Sequence, residues 1–161
     1  MKRFATVIGL ALTTLFLMGP VDARSTVSYV GKAAPEISAG KWYNTSPLSL
    51  SKLKGKVVVV EFWATWCGPC VKSIPHLKEI HSKYSSKGVV LVSLSGESAA
   101  AVTPFVKDKG MTYAVGAESE TSEKYSVTGI PHAVVVGRDG KVAWEGHPMN
   151  GLDQAIEAAL K

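Results

Sequence analysis

The sequence predicts an α/β fold, with a mixed central sheet flanked by helices, and three observations support this prediction. Short runs rich in valine predict buried strands, and longer stretches with apolar residues three and four positions apart predict helices. An Asp-Gly pair between two late apolar runs predicts a hairpin, so part of the sheet should be antiparallel. The 161 residues are enough for one domain with a single core.

The run from Val57 to Trp63 is the clearest strand, because its four consecutive valines show no alternation with polar residues. Such a run is typical of a central strand covered on both faces, so helices are expected on both sides of the sheet. A helix is predicted from about Gly68 to Tyr84, and Pro75 inside it predicts a bend. Its apolar face is formed by Val71, Ile74, Leu77 and Ile80.

The same signals place the other elements along the chain. They are a strand at 41–44, a helical turn at 49–54, a strand at 89–93, a helix at 98–109, a strand at 111–115, a short helix at 118–125 and hairpin strands at 133–136 and 142–144. A last helix is predicted to start at Asn150 as its cap and to bury Leu152, Ile156 and Leu160. This order of elements predicts a mixed sheet between helices.

The first 23 residues have the pattern of an export signal peptide. Lys2 and Arg3 supply the charged start, residues 4–18 the apolar stretch, and Ala23 ends a small-residue cleavage site. We expect cleavage after Ala23 and a soluble protein outside the cytoplasm, for example in a periplasm, with an uncleaved membrane anchor as the alternative.

The rest of the chain divides into two parts. Residues 24–40 contain glycine, alanine and proline and predict an extended lead-in, and residues 41–161 are predicted to form the domain. The formal net charge is +5, and the lysines are scattered without an arginine cluster or interleaved aromatic residues. This pattern indicates a solvated basic surface, so no nucleic-acid partner is expected. A monomer is expected.

Trp66-Cys67-Gly68-Pro69-Cys70 holds the only two cysteines of the chain and directly follows the clearest strand. Residues three apart on a helix have Cβ atoms about 5 to 6 Å apart, so a disulfide is within reach after a small adjustment. Half of a zinc site is one alternative, but no second pair of ligands has finger-like spacing. A static clip is another, but so short a loop contributes little stability. Redox chemistry by the two thiols is favoured, with no cofactor and no metal expected.

Glu61 interrupts the apolar strand six residues before Cys67. A carboxylate at this position is costly to desolvate, so its pKa should be raised. A glutamate that reaches solvent at the end of the strand is the alternative. Of the two nearby tryptophans, Trp66 is expected at the surface and Trp63 in the core.

The stretch from Phe62 to Cys70, with Pro75 in the following helix and Gly129-Ile130-Pro131 further on, resembles the thioredoxin superfamily. The resemblance implies a thioredoxin-like fold, in which residues 98–125 hold a strand-helix insert between the two halves.

Further features are similar to the exported branch of that superfamily typified by TlpA and ResA. They are the signal peptide, Ala34-Pro35-Glu36, the stretch from Leu48 to Lys56 and the stretch from Val127 to His132. This similarity, over residues 33–161, implies a thiol-disulfide oxidoreductase.

The resemblance also implies roles for the thiols and the acid. Cys67 would be the nucleophile, with its thiolate stabilised at the start of the helix. Cys70 would be the more buried, resolving thiol, and would attack Cys67 to release the product. Glu61 would serve Cys70 as general base.

Three further residues would contact the substrate by the same resemblance. Pro131 would follow a cis peptide bond and face the dithiol, the backbone of Ile130 would pair with the substrate chain, and Trp66 would supply an apolar contact. His132 either affects the thiolate or simply packs beside a strand.

The function expected from these features is the reduction of disulfides in exported proteins, with electrons from a membrane donor. Apocytochrome c thiols are the substrates that the TlpA and ResA branch implies. An oxidase of folding proteins is the rival within the same class. A copper-handling protein that uses the thiols with His132, and a peroxidase, are the rivals from other classes.

Overall fold

The computed structural model describes residues 27–161, so the predicted signal peptide at 1–23 lies outside the described residues. The strands are β1 Lys41–Tyr43, β2 Val57–Phe62, β3 Val89–Leu94, β4 Ala114–Ala117, β5 His132–Val136 and β6 Val142–Gly146. The α-helices are α1 Gly68–Tyr84, α2 Ala99–Asp108, α3 Thr121–Lys124 and α4 Leu152–Leu160. Single 3-10 turns lie at Leu50–Leu53 and Ser85–Lys87.

The strands of the described residues form one six-stranded sheet in the order β1-β4-β3-β2-β5-β6. β3 runs parallel to β2 and β4, whereas β1 is antiparallel to β4, β5 to β2 and β6 to β5. The sheet is therefore mixed, and its last two strands form the predicted hairpin. The segment 98–125 holds α2, β4 and α3 between the two halves of the fold, where the insert was expected.

Alternate residues of β2 point to opposite faces of the sheet, and both faces are buried. Val57 and Val59 pack with side chains from α1, α2 and α4. Val58 and Val60 pack with Tyr125, just beyond α3, and with apolar residues of the lead-in and of the first 3-10 turn. Helical segments thus cover both faces, but the three longer helices share one face.

Helix α1 has the predicted bounds and continues through Pro75. Ile74, Leu77 and Ile80 are buried as predicted, whereas Val71 is half-buried. The buried side chains recur at spacings of three and four, so they form the stripe that packs on β2 and β3.

The predicted bounds of the strand at 111–115 were wrong, because β4 runs from Ala114 to Ala117. Met111 and Tyr113 are buried in the core, outside any strand. The Asn44 side-chain amide donates to the carbonyl oxygens of Met111 and Tyr113, at 2.7 and 2.8 Å. A side chain from a distant segment therefore satisfies these carbonyl groups in place of a neighbouring strand.

The prediction that Asn150 caps the last helix was also wrong. Helix α4 begins at Leu152, and its N-cap is Gly151, which has a φ of 86° and makes no side-chain cap. Only glycine adopts this left-handed conformation without a steric cost. Leu152 and Ile156 are buried as predicted, whereas Leu160 is half-buried.

The described part of the lead-in packs against the hairpin. The Gly31 N–H donates to the Val142 carbonyl oxygen at 2.8 Å, and the Ala34 N–H to that of Gly140 at 2.9 Å. Ile37 is only 2% exposed, so this extended segment contributes to the core. Between residues 27 and 161, no helix is both long enough and apolar enough to span a membrane.

Candidate active site

The loop after β2 places Cys67 at the start of α1. The Trp63 N–H donates to the Leu94 carbonyl oxygen at 3.2 Å, which continues the pairing of β2 with β3. The Cys67 N–H donates to the Ala64 carbonyl oxygen at 3.1 Å, which closes a tight turn. The position of the first sulfur is therefore set by the end of the central strand and by this turn.

Cys67 and Cys70 form a disulfide, with their Cα atoms 5.2 Å apart. Cys67 is the N-cap residue of α1, and its Sγ accepts a hydrogen bond from the Cys70 backbone N–H at 3.2 Å. The sulfur thus lies at the N–H groups that a helix leaves unpaired at its start, and at the positive end of the helix dipole. Pro69 stands in the first turn, where the lack of an N–H costs nothing.

The two cysteines differ in burial in the predicted direction. Cys70 is 1% exposed and Cys67 is 5% exposed, while the neighbouring Trp66 is 74% exposed. Trp63 is 4% exposed and lies in the core, as expected.

Glu61 is 1% exposed, so the alternative of a solvent-facing glutamate is wrong. It lies two positions from both Val59 and Trp63 along the chain, so its side chain points to the same face of the sheet as theirs. This is the face that α1 covers. Burial raises the pKa of Glu61 to about 8, an effect that the nearby Ser93 hydroxyl partly offsets. The carboxyl group is therefore mostly protonated at neutral pH.

Two further polar side chains lie near Glu61. Ser93 is the cross-strand partner of Glu61 on β3, and Tyr113 precedes β4. Burial, and then the charge of Glu61, raise the pKa of Tyr113. In residues 27–161 the Glu61 Oε1, Ser93 Oγ and Tyr113 Oη atoms are buried without a hydrogen-bond partner. Sequence reasoning missed Tyr113, because it occurs in an apolar run that gives no sign of this neighbour.

The segment before β5 lies beside the end of β2, because His132 pairs with Phe62 in the sheet. The Ile130–Pro131 peptide bond is cis, as the resemblance implied. Ile130 packs against the cluster of buried residues that contains both cysteines. Ile130 and Trp66 together line a groove of about 310 Å³.

The end of β3, the loop that follows it and the segment after β2 also line this groove. Trp63, Leu94, Gly96 and Glu97 are among the lining residues. The Glu97 carboxylate binds Thr65, in the loop that leads to Cys67. Sequence reasoning missed Glu97, because a single glutamate after a strand is an ordinary surface residue by pattern alone.

His132 packs beside the ring of Phe62, with the two ring centroids 6.4 Å apart. Burial lowers the pKa of His132, and the charge of Glu145 partly opposes this effect. Among the described residues, no group of three or more His, Cys, Asp or Glu side chains is arranged to hold a metal ion. The three residues of the copper-handling alternative, Cys67, Cys70 and His132, do not form such a group.

A disulfide at the first turn of a helix, after the central strand of this mixed sheet, defines a thiol-disulfide oxidoreductase with a thioredoxin-like fold. The chain belongs to the Redoxin family, whose model matches residues 29–159.

Individual relatives support the same class. The chain is 36% identical over 116 residues to thiol-disulfide oxidoreductase ResA of Bacillus cereus, a match covering 70% of this chain and 66% of the relative. It is 34% identical over 119 residues to ResA of Bacillus thuringiensis subsp. konkukian, covering 72% and 68%. The matched part thus spans about two thirds of each relative.

Solved structures share the fold. A thiol:disulfide interchange protein of the thioredoxin family from Chlorobium tepidum aligns with a TM-score of 0.68 and 29% identity, over 80% of this chain and 96% of that one. The thioredoxin domain of a thiol-disulfide oxidoreductase from Bacteroides vulgatus aligns with a TM-score of 0.74 over 84% of this chain and all of that domain. At 21% identity, the second likeness shows the fold alone.

Proposed function

We propose that this oxidoreductase reduces disulfides in exported proteins, with Cys67 as the attacking thiol and Cys70 as the resolving thiol. The observation that carries the proposal is the place of the Cys67 sulfur, which caps α1 and accepts the Cys70 N–H. After reduction of the disulfide, the same N–H groups and helix dipole stabilise a thiolate at this position.

The reaction transfers two electrons in two exchanges. The Cys67 thiolate attacks one sulfur of a substrate disulfide, and a mixed disulfide forms while the other substrate sulfur leaves as a thiolate. Cys70 then loses its proton and attacks the Cys67 sulfur, which releases the second substrate thiolate. The products are a substrate dithiol and the Cys67–Cys70 disulfide, the state in which the structure holds this pair.

The ionised fraction of Glu61 is proposed to accept the proton of Cys70 in the second exchange. It lies on the face of β2 that α1 covers, and α1 carries Cys70. Its pKa of about 8 lies closer to that of a thiol, about 8.5 when free, than the pKa of an ordinary carboxyl group does, so transfer of the proton costs less free energy.

We predict that Glu61→Gln slows the second exchange by roughly 10- to 100-fold below about pH 8. As the pH rises further, the rates of the variant and the wild type should converge, because hydroxide in solution then removes the Cys70 proton without Glu61. Single-turnover release of a thiol product, followed from pH 5 to 10, measures this rate. Equal pH profiles for both proteins would remove Glu61 from the mechanism.

The substrate is proposed to bind as an extended chain across Ile130 and Trp66. Ile130 precedes the cis peptide bond and lies beside the end of β2, where its backbone offers a short edge for strand-like pairing. The exposed ring of Trp66 and the adjoining groove then accept an apolar side chain next to the substrate cysteine. Backbone pairing makes recognition largely independent of substrate sequence.

Export through the segment 1–23 would place the protein among exported substrates, and a membrane protein would return electrons to its disulfide. Disulfides of apocytochrome c, which must open before haem attachment, are the proposed substrate class.

The equilibrium potential of the Cys67/Cys70 couple against glutathione tests the direction of the reaction. We expect a value near about −270 mV, that of thioredoxin, which has the same Gly-Pro dipeptide between its cysteines. Such a couple donates electrons to disulfides whose potentials are less negative than its own. A potential near about −120 mV would instead assign the oxidase role.

A further inference from the structure

We propose that Glu97 is a positioning residue for the redox reaction, because its carboxylate fixes the loop that places Cys67 at the start of α1. The inference rests on the proposed role of Cys67 as the attacking thiol. It adds a residue that lies 32 positions away along the chain from the loop that it holds.

The carboxylate of Glu97 binds Thr65 by both of its oxygen atoms. The Thr65 N–H donates to Oε2 at 2.7 Å, and the Thr65 hydroxyl donates to Oε1 at 2.6 Å. The Ser95 hydroxyl also donates to Oε2, at 3.0 Å. Three donors therefore converge on one carboxylate, and hydrogen bonds to a charged acceptor are about twice as strong as neutral ones.

Glu97 is itself held in place by the backbone around it. Its N–H donates to the Ser95 hydroxyl oxygen at 3.2 Å, and its carbonyl oxygen accepts the Glu118 N–H at 2.9 Å. The Ser119 N–H donates to the Ser95 carbonyl oxygen at 3.0 Å. The segments after β3 and after β4 thus form one rigid support for the carboxylate.

The loop that Glu97 holds carries the residues of the reaction. Thr65 is followed by Trp66 and Cys67, and the turn from Ala64 to Cys67 is closed by one backbone hydrogen bond of 3.1 Å. Without the two bonds to Glu97, this turn would lose the side-chain hydrogen bonds that hold Thr65. The Cys67 sulfur would then spend less time at the Cys70 N–H, and its thiolate would be less stable.

Loss of positioning and loss of charge would have opposite effects on the reactivity of Cys67, so the positioning role can be tested. A carboxylate near Cys67 repels a thiolate, so loss of its charge alone would make Cys67 more reactive at neutral pH. Loss of positioning makes Cys67 less reactive. A role in substrate binding is disfavoured, because the carboxylate is already engaged by three donors.

The experiment compares reduced wild-type protein with Glu97→Ala and Thr65→Val. The alkylation rate of Cys67 by iodoacetamide is measured against pH, in a Cys70→Ser background that leaves Cys67 as the single thiol. We expect Glu97→Ala to slow alkylation at pH 7 by about tenfold and to move the pH midpoint upwards, because an anchoring charge-assisted bond is lost. Thr65→Val keeps the charge and loses one of the two bonds, so a smaller decrease of about threefold is expected.

A second readout reports on the loop directly. In the oxidised protein, hydrogen exchange of the Thr65 amide should become about tenfold faster in Glu97→Ala. Glu36→Ala is the matched control, because the Glu36 carboxylate accepts the backbone N–H of Ser51 at 3.1 Å on the other face of the sheet. It should leave both the Thr65 exchange rate and the Cys67 alkylation rate within about twofold of wild type.

Alkylation in Glu97→Ala that is as fast as in wild type, or faster, would overturn the positioning role. Unchanged Thr65 exchange would overturn it as well. Failure of the proposed function would appear in the protein with Glu97 and Thr65 intact, as a Cys67 that ionises like an ordinary peptide thiol.

Discussion

Cys67→Ser is expected to abolish disulfide reduction, with a loss of at least about 1,000-fold in kcat/KM. A serine hydroxyl does not ionise near neutral pH and cannot form a disulfide, so it cannot carry out the first exchange in place of Cys67. The chain has only two cysteines, so Cys70 is the one thiol that remains, and it is buried at 1% exposure. Reduction of a fluorescent disulfide peptide by chemically reduced protein measures the effect.

Cys70→Ser provides the matched control for this prediction. It keeps the attacking thiol, so the first exchange should proceed and the mixed disulfide should accumulate, because nothing resolves it. Mass spectrometry of the protein after mixing with substrate detects one covalently attached substrate chain. If Cys67→Ser trapped the substrate and Cys70→Ser did not, the two thiols would exchange roles.

Glu61→Gln is expected to change how the stability of the oxidised protein depends on pH. The pKa of Glu61 is about 8 in the folded protein and about 4.5 without burial. Between these values the unfolded chain loses a proton that the folded chain keeps, so the wild type loses stability as the pH rises through this window. The expected loss is roughly 3 to 5 kcal/mol by pH 8, at about 1.4 kcal/mol for each pKa unit.

The glutamine variant lacks this proton, and so its stability should stay higher at pH 8 relative to its value at pH 4.5. Urea unfolding of both proteins at several pH values gives the two curves. The oxidised form is used because a disulfide does not titrate. Glu79→Gln replaces an exposed carboxyl group on α1 and should retain the wild-type curve. Parallel curves for wild type and Glu61→Gln would show that the buried carboxyl group keeps an ordinary pKa.

The burial of Glu61 affects both the stability and the proposed function of this protein. Burial destabilises the ionised form of Glu61, which lowers stability above neutral pH, and the same burial brings its pKa close to that of a thiol. An apolar residue at this position would pack with Val59 and Trp63 without that cost. The two Glu61 predictions therefore test one cause by independent measurements.

Much of the fold was predictable because its signals are local. The bounds of α1 follow from apolar residues three and four positions apart, and β2 follows from an uninterrupted valine run. The errors concern the bounds of two elements, β4 and the last helix, which local sequence patterns do not reveal. β4 begins later than predicted, and the Asn44 side chain binds the carbonyl groups of Met111 and Tyr113, which precede it. The last helix begins at a glycine, whose positive φ no capping pattern revealed.

The sequence alone determined the redox pair, its order along the chain and the helix that carries it, because one five-residue motif holds both thiols and the helix start. The degree of burial of Glu61 and the anchoring of the Cys67 loop by Glu97 were decided only by tertiary structure. Burial depends on what packs over a strand, and the Glu97 bonds join residues 32 positions apart. Properties of this kind arise when segments that are distant along the chain come into contact.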